Sequence, residues 1–248
     1  MSKKIISKNE FLNLNIKSAQ DMSRDNTLNN KAKNIFAEAD KYRWIHQTTW
    51  LGEPIINLPQ DIFAIQEIIW KTKPDFIIEV GVAWGGSILF ESMLLDYVGG
   101  NKIIGIDIFL PDDLIKRLKS HKKLFEKIKL IHGSSVDHET IDKVKSIIKG
   151  SKKVLVVLDS HHTEEHVLKE LELYSPFVTK GNYLICGDTI MNFIPEQKHR
   201  PREWSPKNNP YTALQKFLKK NKRFNSDKLV ENKLLFTCNP HGYLKADS

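Results

Sequence analysis

A chain of 248 residues, 40% hydrophobic and 27% charged, has room for one substantial soluble α/β domain with decorations. Lys and Arg exceed Asp and Glu by 38 to 30. No basic block accompanies a nucleic-acid motif, so no nucleic-acid partner is expected. No apolar run approaches a membrane span, the first residues lack a signal-peptide core, and Cys186 and Cys238 make no secretory framework. The expectation is a cytoplasmic protein with reduced thiols.

In chain order, residues 1–30 are polar and read as a loose arm with some helix, and 34–43 has helical character. The segment 44–55 is dense in aromatics and broken by Gly52 and Pro54. It reads as a packed N-terminal flap, with covering a site as its other open role. Residues 1–58 thus form an arm and helical cap, and 59–248 the main domain. Pro59-Gln60-Asp61 starts a helix over 62–70 whose apolar residues should lie on a sheet.

Phe76-Ile77-Ile78-Glu79-Val80 is short and β-branched, a buried strand bounded by Pro74. It runs into Gly81-x-x-x-Gly85-Gly86-Ser87 and then a helix over 87–95. Glycine lets a ligand approach the backbone, and the helix start offers free N–H groups. There is no Gly-Lys-Ser/Thr ending for a phosphate loop, and the spacing departs from the dinucleotide fingerprint. Glu79 at the strand end would repel a pyrophosphate and suits a cation such as the ammonium or sulfonium of S-adenosylmethionine (SAM).

The second strand, 103–108, carries Asp107, where nucleoside-binding units place a carboxylate on ribose hydroxyls. A helix over 111–125 leads to a third strand, 128–132, and to Ser134 and Ser135, which could frame an adenine edge or cap the next helix. That helix covers 139–149. The most apolar strand, 154–158, reads as central and ends in Asp159-Ser160-His161-His162, with a helix over 164–174 behind it. A fifth strand, 183–186, leads to Asp188. Asp159 and Asp188 therefore share one sheet edge, where a carboxylate pair would bind a hard cation such as magnesium. The proline-rich segment 194–210, with His199, Arg200, Arg202 and Trp204, reads as a substrate-side loop beginning near residue 190. A helix over 211–220, a closing hairpin of 224–231 with 233–238, and a tail over 243–248 complete the chain.

The layout resembles a Rossmann-like class I SAM methyltransferase, a mostly parallel sheet with a C-terminal antiparallel hairpin and an N-terminal helical extension. Over about residues 44–192 the motifs resemble the cephalosporin hydroxylase family, whose fold is that of a methyltransferase. The matching pieces are Trp50-Leu51-Gly52 with Pro54, Pro59-Gln60-Asp61, Glu79-x-Gly81-x-x-x-Gly85-Gly86-Ser87, Ile106-Asp107, Gly133-Ser134-Ser135, Asp159-Ser160-x-His162-Thr163, and Gly181-x-Tyr183 with Asp188-Thr189. The sequence is also similar to the macrolide-sugar O-methyltransferases.

The resemblance implies a magnesium-dependent O-methyltransferase. SAM would meet Glu79, Gly81, Gly85, Ser87, Asp107, Ser134, Ser135 and Asp159. Asp159 and Asp188 would hold the metal, and His162 would act as base beside Asp159, with His161 and His166 as alternatives. Gly187 stands where the family usually has Glu, which removes one expected ligand. The expected substrate is a sugar hydroxyl of a polysaccharide, glycolipid or nucleotide-sugar precursor, anionic ones included, and the expected assemblies include a homo-oligomer. The alternatives are a small-molecule O-methyltransferase and a SAM-binding subunit without catalysis.

Overall fold

The strand β3 (Phe76–Val80) is buried along its whole length, because it lies inside a sheet covered on both faces. A computed structural model describes residues 6–248. Among these, β3, β4 (Lys102–Asp107), β5 (Ile128–His132), β6 (Val154–Leu158), β7 (Tyr183–Cys186), β8 (Phe224–Ser226) and β9 (Tyr243–Ala246) form one sheet in the order β5-β4-β3-β6-β7-β9-β8. The first five are parallel, and β9 pairs antiparallel with both β7 and β8. This is the α/β, mostly parallel class I methyltransferase arrangement that the sequence predicts. The chain order reverses between β3 and β6, which opens a crevice at their carboxyl ends, the usual ligand position in such sheets.

Alternation along the strands divides the core. Ile77, Ile103 and Leu155 face one layer with Ile65, Leu89 and Leu114. These come from α3 (Pro59–Thr72), α4 (Gly86–Tyr97) and α5 (Asp112–Ser120). Ile78, Val80, Ile104 and Val156 face the other with Val144, Leu171 and Leu214. Those belong to α6 (His138–Ile147), α7 (Glu164–Tyr174) and α8 (Pro210–Lys220).

The N-terminal part is more regular than a loose arm. It holds α1 (Lys8–Arg24), whose start is closed by a reciprocal Ser7/Glu10 capping box, and α2 (Asn26–Ala39). Phe36 and Ile45 pack with Leu58, Ile190, Met191 and Ile194 in a third apolar cluster. The aromatic flap packs rather than opens. Its strands β1 (Thr49–Trp50) and β2 (Glu53–Pro54) lie on α4, where Trp50 meets Phe90 edge-on at 5.0 Å. A Cβ on Gly86 would come within 2.4 Å of the Pro54 carbonyl oxygen, so glycine is what allows this approach.

One assignment is corrected at the C-terminus. The antiparallel closing pair exists, but its second strand is β9, in the segment read as a tail. Residues 228–231 form the short helix α9 (Lys228–Glu231), and 233–238 form no strand. The reason is Asp61, a buried side chain on α3. It takes hydrogen bonds from Thr237 Oγ1, from Tyr243 OH at 2.8 Å and from the Cys238 amide at 2.8 Å. These bonds hold 237–238 against α3 instead of in the sheet.

Candidate active site

The turn after β3 is built on backbone that side chains disfavour. Gly81 has φ of 97° and Gly85 φ of 88°. At Gly81 a Cβ would sit 2.0 Å from the Asp159 carbonyl oxygen, so the turn and the end of β6 touch through backbone alone. Asp107, at the end of β4, fixes the turn from the other side. Its Oδ2 accepts the Val82 and Ala83 amides at 2.9 and 3.1 Å, and its Oδ1 accepts the Phe109 amide.

A cavity of about 320 Å³ lies over these strand ends. Gly81, Asp107, Ser134, Ser135 and Asp159 line it together, as the sequence reading places them. Glu79, Gly85 and Ser87 do not line it. Gly85 packs on Leu118 and Leu114. Glu79 is 3% exposed and accepts the Ser87 hydroxyl beneath the turn. Its Oε2 is buried without a partner, as is Oε2 of the neighbouring buried Glu91. These two acids sit together under the glycine turn, where burial and their mutual repulsion favour the neutral forms, and Glu91 looks in the sequence like one more helix residue.

Burial, with Asp159 adding to it, pushes the Glu91 carboxyl up to about 8. A carboxyl raised in the fold contributes its full stability below its ordinary range and loses it as pH rises through the folded value. The thermal midpoint of the ligand-free protein should therefore fall as pH rises from the ordinary carboxyl range to about pH 8 and level off above it. Glu91→Gln should flatten that fall and raise the midpoint at the alkaline end. Equal slopes in a scanning-calorimetry comparison would show that Glu91 is not the group responsible.

Further residues of the cavity were not predicted as cofactor contacts. Ser160, His161, His166 and Trp204 line it too. Behind them, fully buried Glu170 of α7 takes the Ser135 and Ser160 hydroxyls and lies 3.0 Å from His166 Nε2. The spacing of Glu170 from His166, one helical turn, was the only signal in the sequence.

Beside the cavity stands a second group. Ligand atoms of Asp159, His162 and Asp188 lie within 4.8 Å of one another. They converge because β6 and β7 are hydrogen-bonded neighbours ending at the same level. His162 Nε2 is 3.1 Å from Asp159 Oδ1, and Nδ1 is 3.6 Å from Asp188 Oδ2. Burial alone would depress the imidazole, but Asp188 and Asp159 outweigh it and hold His162 above its ordinary range. Burial raises the Asp188 carboxyl, His162 pulls it back and Asp159 adds to the rise, which leaves it at about 6. Asp188 does not cap the helical turn it precedes.

The converging carboxylates of Asp159 and Asp188 fit a hard divalent cation, and His162, whose buried Nδ1 makes no hydrogen bond, stands beside them. Gly187 supplies no third carboxylate. A Cβ there would lie 2.7 Å from Asp159 Oδ1.

The comparisons meet this geometry. A family model described as "Rhamnosyl O-methyltransferase/CmcI" matches residues 42–247. The chain belongs to this family. A rhamnosyl O-methyltransferase of Mycobacterium leprae is 30% identical over 79% of the chain and 82% of its own length. One of Mycobacterium tuberculosis is 26% identical over 84% of both. A solved CmcI structure with Mg and SAM shares the fold at a TM-score of 0.58, with 18% identity over 82% of this chain and 78% of that one. Among the described residues no helix is long and apolar enough to cross a membrane.

Proposed function

We propose that this member of the Rhamnosyl O-methyltransferase/CmcI family transfers the methyl group of SAM to a sugar hydroxyl, aided by magnesium. The observation that carries the reading is the adjacency of the two groups, a nucleoside-sized cavity over β3, β4 and β6 and the Asp159/His162/Asp188 cluster at its side. In this reading Asp107 accepts ribose hydroxyls, and Ser134 and Ser135 border the adenine edge. Gly81 keeps the turn low enough for the nucleoside. Glu79, with Gly85 and Ser87 shaping the turn around it, lies beneath the nucleoside, where a bound ammonium and sulfonium would favour its ionised form.

When bound, SAM supplies an electrophilic methyl on a good leaving group, and magnesium on Asp159 and Asp188 lowers the pKa of a sugar hydroxyl. The chain itself must hold the hydroxyl in line and remove its proton. His162 is the proton acceptor in this reading, since a cation on Asp159 and Asp188 would offset the two carboxylates that otherwise hold its ring protonated. Asp159 holds its ring through Nε2, and Asp188 lies 3.6 Å from Nδ1. Residues 1–58 act as the cap and 59–248 as the transferase domain. The exposed Phe11, Leu12, Leu14 and Ile16 of α1 suit a homo-oligomer.

The test is production of S-adenosylhomocysteine (SAH) with methyl α-L-rhamnoside and a panel of free sugars, with and without EDTA. Chelator-sensitive, sugar-dependent turnover is expected. SAM binding with no turnover on any sugar would instead favour a binding subunit, the reading that Gly187 supports.

A further inference from the structure

We propose that a second cavity, lined by the 191–206 segment, binds a diphosphate that carries the substrate sugar, with Lys198, Arg200 and Arg202 as its anion-binding side chains. The proposal rests on the O-methyltransferase reading of the neighbouring cavity. The space is about 300 Å³, enough for a diphosphate and part of a sugar ring. Trp204 lines both cavities and packs edge-on against His162 at 4.8 Å. A sugar joined to a group held here therefore lies on the side of His162 and Asp188.

The lining is rich in donors, and Glu196 is its one acid. Arg200 is pinned on several sides. Its Nη2 donates to Asp40 Oδ1 at 2.6 Å and to Gln197 Oε1 at 3.2 Å, and its Nη1 is 2.8 Å from His46 Nε2. Its Nε is buried with no partner, and so is Gln197 Nε2. Leaving two buried donors unmet costs free energy that a ligand's oxygens would recover.

Charge then selects among oxygen-bearing ligands. Asp40 offsets Arg200, while Lys198 and Arg202 form no ion pair among the described residues and face only Glu196 on the lining. Arg202 is kept near by its guanidinium lying over the Trp204 ring at 5.4 Å. A neutral sugar would satisfy the donors and leave the charge excess. A lone carboxylate would reach one of these separated groups. A diphosphate spreads charge over several oxygens and can meet donors from several residues at once. Such a group comes either from a nucleotide or from a lipid carrier, and the same contacts would serve both.

Calorimetric titration of the SAH-loaded protein tests this with inorganic pyrophosphate, uridine 5′-diphosphate and geranyl diphosphate as probes. Pyrophosphate is expected to bind and to weaken with added salt. The double variant Lys198→Gln, Arg202→Gln should lose at least about tenfold in its affinity while SAH binding persists. A gain for uridine 5′-diphosphate over pyrophosphate points to a nucleotide carrier, and a gain for geranyl diphosphate to a lipid carrier. No binding of any probe, or binding that the double variant leaves intact, overturns the proposal. If neutral sugars are still methylated in that case, the transferase reading stands alone. If the wild type fails to bind SAH, it is the transferase reading that fails.

Discussion

His162→Ala should lower methyl transfer by about 10²–10⁴-fold while leaving SAH affinity near that of the wild type. A sugar hydroxyl is a far weaker acid than the imidazolium it would create, so the step depends on a base already in position. In the proposed mechanism that base is His162, which does not line the cofactor cavity, so binding should survive its loss. The rival bases are engaged elsewhere. His161 Nε2 lies 3.3 Å from a Glu203 carboxylate, and His166 shares Glu170 with two serines. Alanine at either should cost much less in turnover. Single-turnover methylation with saturating SAM separates the three. Near-normal turnover in the His162 variant, or an equal loss in all three, would remove His162 from the mechanism.

Asp61→Ala should destabilise the fold by about 3–5 kcal/mol, the range for stripping one side of a buried charged or hydrogen-bonded set. Three donors from 237–243 would lose their acceptor at a point with no access to water. The damage should also reach the site. Asn239 Oδ1 accepts the Asp188 amide at 3.1 Å, and the Thr189 hydroxyl bonds the Pro240 carbonyl at 2.7 Å. The segment that Asp61 anchors is therefore the segment that seats Asp188. Urea unfolding checks the size of the effect, and a loss below about 1 kcal/mol would mean the donors find other partners.

The sheet was legible because its strands are short apolar runs separated by helices with clear periodicity, and because Gly81, Asp107, Asp159 and Asp188 each stand at a strand end. Strand ends in a parallel sheet fall on one edge, so linear order alone brought these residues together. The C-terminal strand was not legible for the opposite reason. Residues 233–238 have a strand-like apolar pattern, and what keeps them out of the sheet is a contact with Asp61, 177 residues away from Cys238 in sequence. Glu79 was read for its charge, but β-strand alternation turns it under the turn and away from the cavity. Glu91 and Glu170 were missed because a charged residue on an amphipathic helix normally faces water, and only burial marks these two as different. The Arg200–Asp40 pair joins α2's end to the 191–206 segment, a link no local pattern encodes.

The close packing of Gly187 on the Asp159 carboxylate has an evolutionary corollary. With glycine present, the neighbouring acid leans into the volume a larger residue would need. A single codon change restoring Glu at 187 would meet that acid before it could share a cation with it. The obstacle is the free end of the Asp159 side chain, so one substitution together with a turn of that carboxylate is enough to put two acids side by side at this edge.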